Sequence, residues 1–238
     1  MIILFSALFG AHLIADFLLQ TKSLADKKQV EIPYLILHCF VHFAVTLLIL
    51  SILGVKQNVI VLILIFIQHL IIDGIKPRLQ GKRMSDHILF LYDQAAHIII
   101  LLIISYYWGE IVWNEDFCRI LIYLSGIIGV MQFSGILMGL FTSDMIKRNP
   151  ALENELDNGL KQGGKFIGIL ERLMIFLFIM IGQPLGAGFI FAAKSLLRME
   201  PGEKHHKRME YILVGTLFSF LLAILFSLYT KAVLNKLH

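Results

Sequence analysis

Apolar residues run along this chain in blocks long enough to cross a bilayer, and short polar interruptions mark where each block ends. About 20 apolar residues in a helix span the hydrocarbon core. The pattern predicts spans over residues 1–21, 33–53, 59–75, 87–108, 118–141 and 209–229. Pro33 is placed to open the second span and Pro77 to stop the third. Gly135 and Gly139 give the fifth a small-residue packing face. The stretches Thr21–Glu31, Gly54–Asn58, Lys76–Arg83, 109–117 and Thr142–Lys165 read as connecting loops or turns. Phe166–Ile181 and Phe189–Leu197 are shorter apolar pieces. They flank Gly182-Gln183-Pro184-Leu185-Gly186-Ala187-Gly188, a break that predicts a helical hairpin, re-entrant or crossing twice. The expected fold class is an all-α polytopic membrane protein. Its N-terminal four-helix bundle covers residues 1–108, and a C-terminal set of about three to four helices covers 118–231, with the broken hairpin at 166–198.

Polar residues inside the first four blocks recur at one spacing: His12 and Asp16, His38 and His42, His69 and Asp73, Asp93 and His97. Four residues are one helical turn, about 6 Å of rise, so both members of each pair share a helix face. The segment His12-Leu13-Ile14-Ala15-Asp16 matches His69-Leu70-Ile71-Ile72-Asp73 at an offset of 57, and His38 and His42 map onto Asp93 and His97 at 55. The halves, about 1–55 and 56–108, read as parallel-repeat hairpins related by a pseudo-two-fold along the membrane normal.

With 58% hydrophobic residues, the chain is not an ordinary soluble domain. The first block lacks a basic leader, contains Asp16 and shows no small-residue cleavage site, so it reads as a retained span. Cys39 and Cys118 provide neither a disulfide framework nor a thiolate cluster. The net charge of +4 does not point to nucleic acid, because the basic residues sit in loops beside apolar blocks and suit anionic lipid head groups. Lys22, Lys27, Lys28, Lys76, Arg78, Lys82, Arg83, Lys147, Arg148, Lys161 and Lys165 follow spans one, three and five. Lys56 and Arg119 lie opposite them, with Lys231 and Lys236 at the tail. The positive-inside rule then puts the N-terminus outside and those loops, with Lys204, Lys207 and Arg208, in the cytoplasm of a bacterial inner membrane. All four pairs fall at a similar depth, towards the cytoplasmic face.

Five His and three Asp converging from four helices suit a metal centre with positions left open for water. His12, Asp16, His38, His42, His69, Asp73, Asp93 and His97 are the candidate ligands, with a general base among Asp16, Asp73, Asp93 and His97. Two divalent ions are expected, and ligands without thiolate suit zinc, iron or manganese. Gln20, Gln68 and Gln94 lie beside the pairs as candidate donors to the ligands. The competing readings are a proton or ion pathway and interhelical hydrogen-bond glue. The glue reading is set against the insertion cost of a central Asp, about 2.5–3.5 kcal/mol.

The C-terminal half carries Glu171 and Arg172 in one apolar piece, Lys194 and Arg198 in another, and Glu210 at the last span. Pairing of Glu171 with Lys194, or of Arg198 with Glu210, is one account of them. Binding of an anionic head group by Arg172, Lys194 and Arg198, joined by Lys76 and Arg78, is the other. Gly163 and Gly164 add a weak anion-site signal at a helix start.

These residues together resemble an uncharacterised family of bacterial integral membrane proteins, a domain of unknown function. The likeness rests on the four pairs, on Gln94, and on Gly168, Glu171, Arg172, Gly182-Gln183, Ala193-Lys194-Ser195, Arg198, Glu210-Tyr211 and Gly215-Thr216. A looser similarity, through His69 and Asp73, is to bacterial membrane-bound metal-dependent hydrolases, whose Thr-His-Ser segment is absent here. The expected function is a membrane-embedded metal-dependent hydrolase acting on a lipid or other amphiphile. A metal-ion or proton transporter is the first alternative, and a scaffold with a structural metal the second.

Overall fold

The computed structural model describes residues 1–54, 59–80, 84–108, 114–148, 161–197 and 206–237. Every regular element among them is helical: α1 (Ile2–Ile14, continued by a π-helical turn Ala15–Leu19), α2 (Lys22–Lys27), α3 (Ile32–Ile52), α4 (Val59–Leu79), α5 (Asp86–Tyr107), α6 (Glu115–Ile128), a second π turn (Gly129–Phe133), α7 (Ser134–Arg148), α8 (Lys161–Met180), α9 (Leu185–Leu197) and α10 (His206–Leu234). Among the described residues, six runs are long and apolar enough to cross a membrane: Ile2–Leu19, Ile32–Ile52, Val59–Leu79, Asp86–Tyr107, Glu115–Arg148 and Tyr211–Leu234. The chain is a multi-pass, all-helical membrane protein by this measure.

Two compact units emerge, Met1–Ile128 with Val233–His238, and Gly129–Ala232. In the first, α1 packs on α3, α3 on α4, α4 on α5 and α5 on α1, which closes a four-helix ring. α6 packs on the far side of α1 and belongs to this unit too. The approach is close because Gly10 has no side chain: a Cβ there would sit 2.7 Å from Ser125 Oγ. The ring has a dry half, filled by Leu4, Leu8, Leu50, Val61, Leu62, Ile65, Leu101 and Ile104. These come from the start of α1, the end of α3, the start of α4 and the end of α5. The candidate pairs occupy the opposite half of each helix.

Outer faces carry Ile36, Phe40, Leu48, Ile63, Ile67, Ile71 and Ile103, all exposed, while the His and Asp residues are buried. That inversion of the soluble pattern is what a hydrocarbon solvent selects.

In the second unit α8 and α9 form a hairpin against α10 around Ile175, Ile179, Ala187, Phe220 and Ala223. Gly182, at φ 78°, supplies the left-handed residue of the turn. The Gln183 amide closes that turn on the Phe178 carbonyl at 2.8 Å.

Several expected boundaries shift. The hairpin break narrows to 181–184, because Gly186, Ala187 and Gly188 are helical in α9. Gly186 is needed for close packing: a Cβ would lie 2.4 Å from Phe178 Cδ1. Pro77 does not stop the third span, since α4 continues to Leu79. The missing proline N–H costs one bond, and a salt bridge from Lys76 to Asp93 fastens the added turn to α5. Residues 142–148, expected as loop, extend α7, and α8 begins at Lys161. Hydropathy marks only the apolar part of such helices. The stretch after span one contains α2, whose first turn is capped by Thr21 Oγ1 accepting from the Leu24 amide at 3.3 Å. A Cβ on Gly139 would meet nothing within 4 Å, so among the described residues no neighbour packs there. Lys56, Lys82, Arg83, Arg198, Lys204 and His205, with the segments 55–58, 109–113 and 149–160, lie outside the described residues, as do the side chains of Lys207, Arg208 and Glu210.

Candidate metal centre

Each helix of the ring delivers its pair to one buried cluster. His12 and Asp16 come from α1 and its π turn, His38 and His42 from α3, His69 and Asp73 from α4, Asp93 and His97 from α5. All eight are buried. Their ligand atoms form three triads: His12, His42 and His69; Asp16, His38 and His42; Asp73, Asp93 and His97. Within each triad the ligand atoms lie within 4.8 Å of one another. His42 belongs to two of them, and the third triad shares no residue with the others.

The repeat-equivalent histidines face each other, His12 Nδ1 lying 3.2 Å from His69 Nε2. The His42 and His69 rings stack with centroids 3.5 Å apart, and His69 and His97 follow at 4.4 Å. His42 Nε2 donates to Asp16 Oδ1 at 3.1 Å. His69 Nδ1 donates to the Ile65 carbonyl at 2.7 Å. The amide of Gln94 links three candidate ligands: its Nε2 donates to Asp16 Oδ2 (3.3 Å) and Asp93 Oδ2 (3.2 Å), and its Oε1 meets His12 Nε2 at 3.2 Å. Gln20 Oε1 and Gln68 Oε1 are buried with no hydrogen-bond partner among the described residues.

Two lysines close the polar end. Lys28, just after α2, donates through Nζ to Asp73 Oδ1 at 2.8 Å and lies 2.9 Å from His38 Nε2. Its side chain is 8% exposed. Burial pulls the Lys28 ammonium down, yet the Asp73 and Asp16 carboxylates outweigh it and hold the group above its ordinary value. Lys76 donates to Asp93 Oδ2 at 2.8 Å and remains 26% exposed. Even so, the cluster is under-satisfied. Asp73 Oδ2, Asp93 Oδ1, His38 Nδ1 and His97 Nδ1 are buried without a hydrogen-bond partner among the described residues. His38 Nε2 does lie 3.3 Å from Asp73 Oδ2, but not in hydrogen-bond alignment. Three of these four atoms belong to the triad Asp73, Asp93 and His97. Carboxylate oxygens and a ring nitrogen buried without donors, on three residues whose ligand atoms lie within 4.8 Å of one another, suit a cation.

Lys28 is the site residue that sequence reasoning missed. It reads as one more topology-setting lysine, and only the course of α2 brings it inward. The π turn after His12 was also invisible; such turns recur at functional sites. Two of the remaining head-group candidates, Arg172 and Lys194, are otherwise engaged. Arg172 Nε donates to the Val130 carbonyl at 2.7 Å, and its guanidinium also reaches the Met131 carbonyl and Ser219 Oγ. Those carbonyls lie in the second π turn, whose backbone bonding is loosened. Lys194 donates to Glu171 Oε2, the pairing expected from sequence. Arg78 is exposed at the end of α4. Cys39 and Cys118 are free and buried.

The family model described as "Protein of unknown function (DUF3307)" matches residues 4–122, which contain all four pairs, Gln94, Lys28 and Lys76. No curated protein and no solved structure matches the chain.

Proposed function

We propose, for a chain that belongs to the DUF3307 family, that the buried His/Asp cluster holds divalent metal and hydrolyses an ester of a membrane amphiphile at the cytoplasmic side of a bacterial inner membrane. The observation that carries the reading is the set of three buried triads, one of which, Asp73, Asp93 and His97, carries carboxylate oxygens left without a donor. Because His42 can serve one of its two triads at a time, the arrangement supports two ions, the second held by Asp73, Asp93 and His97. A bound ion would supply Lewis acidity and lower the pKa of a coordinated water. The chain's own groups supply the rest. Asp16 and Gln94 orient His42 and His12, and a carboxylate not consumed as a ligand is available as general base.

Charge narrows the substrate. Two divalent ions exceed three carboxylates by one positive charge, and Lys28 and Lys76 add two more. An anionic ester, such as the phosphate ester of a lipid, neutralises that excess, with the ammonium groups at the polar end as head-group partners. The dry half of the ring bears on the transport alternative. Leu4, Leu8, Leu50, Val61, Leu62, Ile65, Leu101 and Ile104 form an apolar layer where a through-path would need polar groups. Metal-dependent flux into liposomes, abolished by His42→Ala, would replace the hydrolase reading with transport.

The test is elemental analysis of protein purified without chelator, beside a His42→Ala, Asp73→Ala double variant that removes a ligand from each of the three triads. Wild type should retain up to two divalent ions and the variant none. A metal-free wild type sinks the proposal.

A further inference from the structure

Proton accounting within the cluster singles out one nitrogen pair and the residue that prepares it. Carboxylate oxygens only accept, so the Gln94 amide, with Nε2 at 3.3 and 3.2 Å from Asp16 Oδ2 and Asp93 Oδ2, has its orientation fixed. Its Oε1 therefore faces His12 Nε2, and that nitrogen must carry the ring proton. An imidazole with a single ring proton, held at Nε2, is bare at Nδ1. On α4 the Ile65 carbonyl, 2.7 Å from His69 Nδ1, accepts that nitrogen's proton. Gln68 Nε2, 3.5 Å from the same nitrogen, is too distant to compete. His69 is then bare at Nε2. The two bare nitrogens are the ones that face each other at 3.2 Å, with no proton between them.

Two lone pairs so placed repel unless a cation lies between or beside them. The distance suits a metal. Nitrogens each about 2.05 Å from one ion stand roughly 3.3 Å apart at the tetrahedral angle and roughly 2.9 Å apart at a right angle. His42, which shares a triad with both, supplies a third ligand.

We infer that His12 Nδ1 and His69 Nε2 are a preset chelating pair for a tetrahedral divalent ion, and that Gln94 is the positioning residue that fixes the His12 tautomer. The inference rests on the metal reading above and adds the ligand atoms, the geometry and the residue that organises them. Gln94 also ties the two half-sites together, because its amide holds Asp16 of the first repeat and Asp93 of the second.

The experiment uses full-length protein in detergent, stripped of metal and titrated with Co²⁺, whose visible bands report tetrahedral coordination. Wild type, Gln94→Met and Gln94→Glu are compared, with circular dichroism to establish that each retains its helices. The methionine variant keeps the volume and loses every hydrogen bond. The glutamate variant keeps an acceptor for His12 Nε2–H. Gln94→Met should lose roughly 10- to 100-fold in Co²⁺ affinity, the usual effect of removing a group that orients a ligand, and its tetrahedral bands should weaken. Ring-¹⁵N histidine NMR of the metal-free proteins should show His12 protonated at Nε2 alone in wild type and in Gln94→Glu. In Gln94→Met it should show a mixture of tautomers. Unchanged affinity, bands and tautomer in Gln94→Met overturn the inference and leave the metal reading standing. A doubly protonated His12 in the metal-free wild type overturns it as well, since a proton then bridges the pair. Wild type that takes up no Co²⁺ fails the metal reading itself.

Discussion

At the scale of single residues, the proposed metal reading sets two cations in competition for one carboxylate. Lys28 donates to Asp73 at 2.8 Å where a metal would need the same carboxylate. Lys28→Met therefore has two effects of opposite sign. Without metal, Asp73 loses its buried partner, and an ion pair broken on one side costs about 3–5 kcal/mol. Thermal unfolding of the chelated variant should show that loss. With metal, the ammonium no longer competes, and affinity should rise about tenfold or more, roughly 1.4 kcal/mol. A metal titration that shows affinity falling together with stability would make Lys28 a support for ligand geometry, not a competitor. The ligand candidates were legible in the sequence because a spacing of four converts directly into a shared helix face. Gln94 was visible as a neighbour of Asp93, but two of its three bonds, to Asp16 and His12, depend on α1 meeting α5. Lys28 was hidden for a stronger reason: periodicity describes residues within a helix, and it approaches the cluster from outside one.

Among the elements, glycine decides which helices meet closely, and composition alone does not say which glycines matter. Gly135 and Gly139 have the spacing of a packing motif, yet a Cβ on Gly139 would meet nothing within 4 Å. Gly10, with no such motif, is pressed against α6, where a Cβ would lie 2.7 Å from Ser125 Oγ and 3.0 Å from Leu121. Gly10→Ala should destabilise the first unit by roughly 1–3 kcal/mol, as overpacking does, while Gly139→Ala should be neutral or slightly stabilising through helix propensity. Denaturant-induced unfolding of the two variants in matched detergent checks the contrast, and equal effects would mean that α1 and α6 do not pack as described. The helices themselves were legible, since apolar runs near 20 residues have few other uses. Their ends were not. Pro77 and the polar residues 142–148 are accommodated by contacts and by helix outside the apolar layer, neither of which hydropathy records.

For the molecule as a whole, the division of the first unit into a dry and a polar half separates what holds the fold from what acts. A structural metal would make chelation unfold the bundle, as it does small domains with no adequate core. Here the ring is closed at one end by leucine, isoleucine and valine from all four helices, and α6 adds a further packed surface on α1. The polar half also has internal cations to fall back on, since Lys28 and Lys76 pair with Asp73 and Asp93. Removing metal should therefore leave the helical circular dichroism signal intact and lower the unfolding temperature by only a few degrees, while hydrolysis of a phosphate-ester amphiphile in vesicles is lost and returns on adding the ion back. The size of the thermal shift reports occupancy directly: an ion at 100 times its dissociation constant stabilises the folded state by about 2.7 kcal/mol. Collapse of the helices on chelation would instead make the metal a structural staple, and the hydrolase reading would give way to a membrane scaffold.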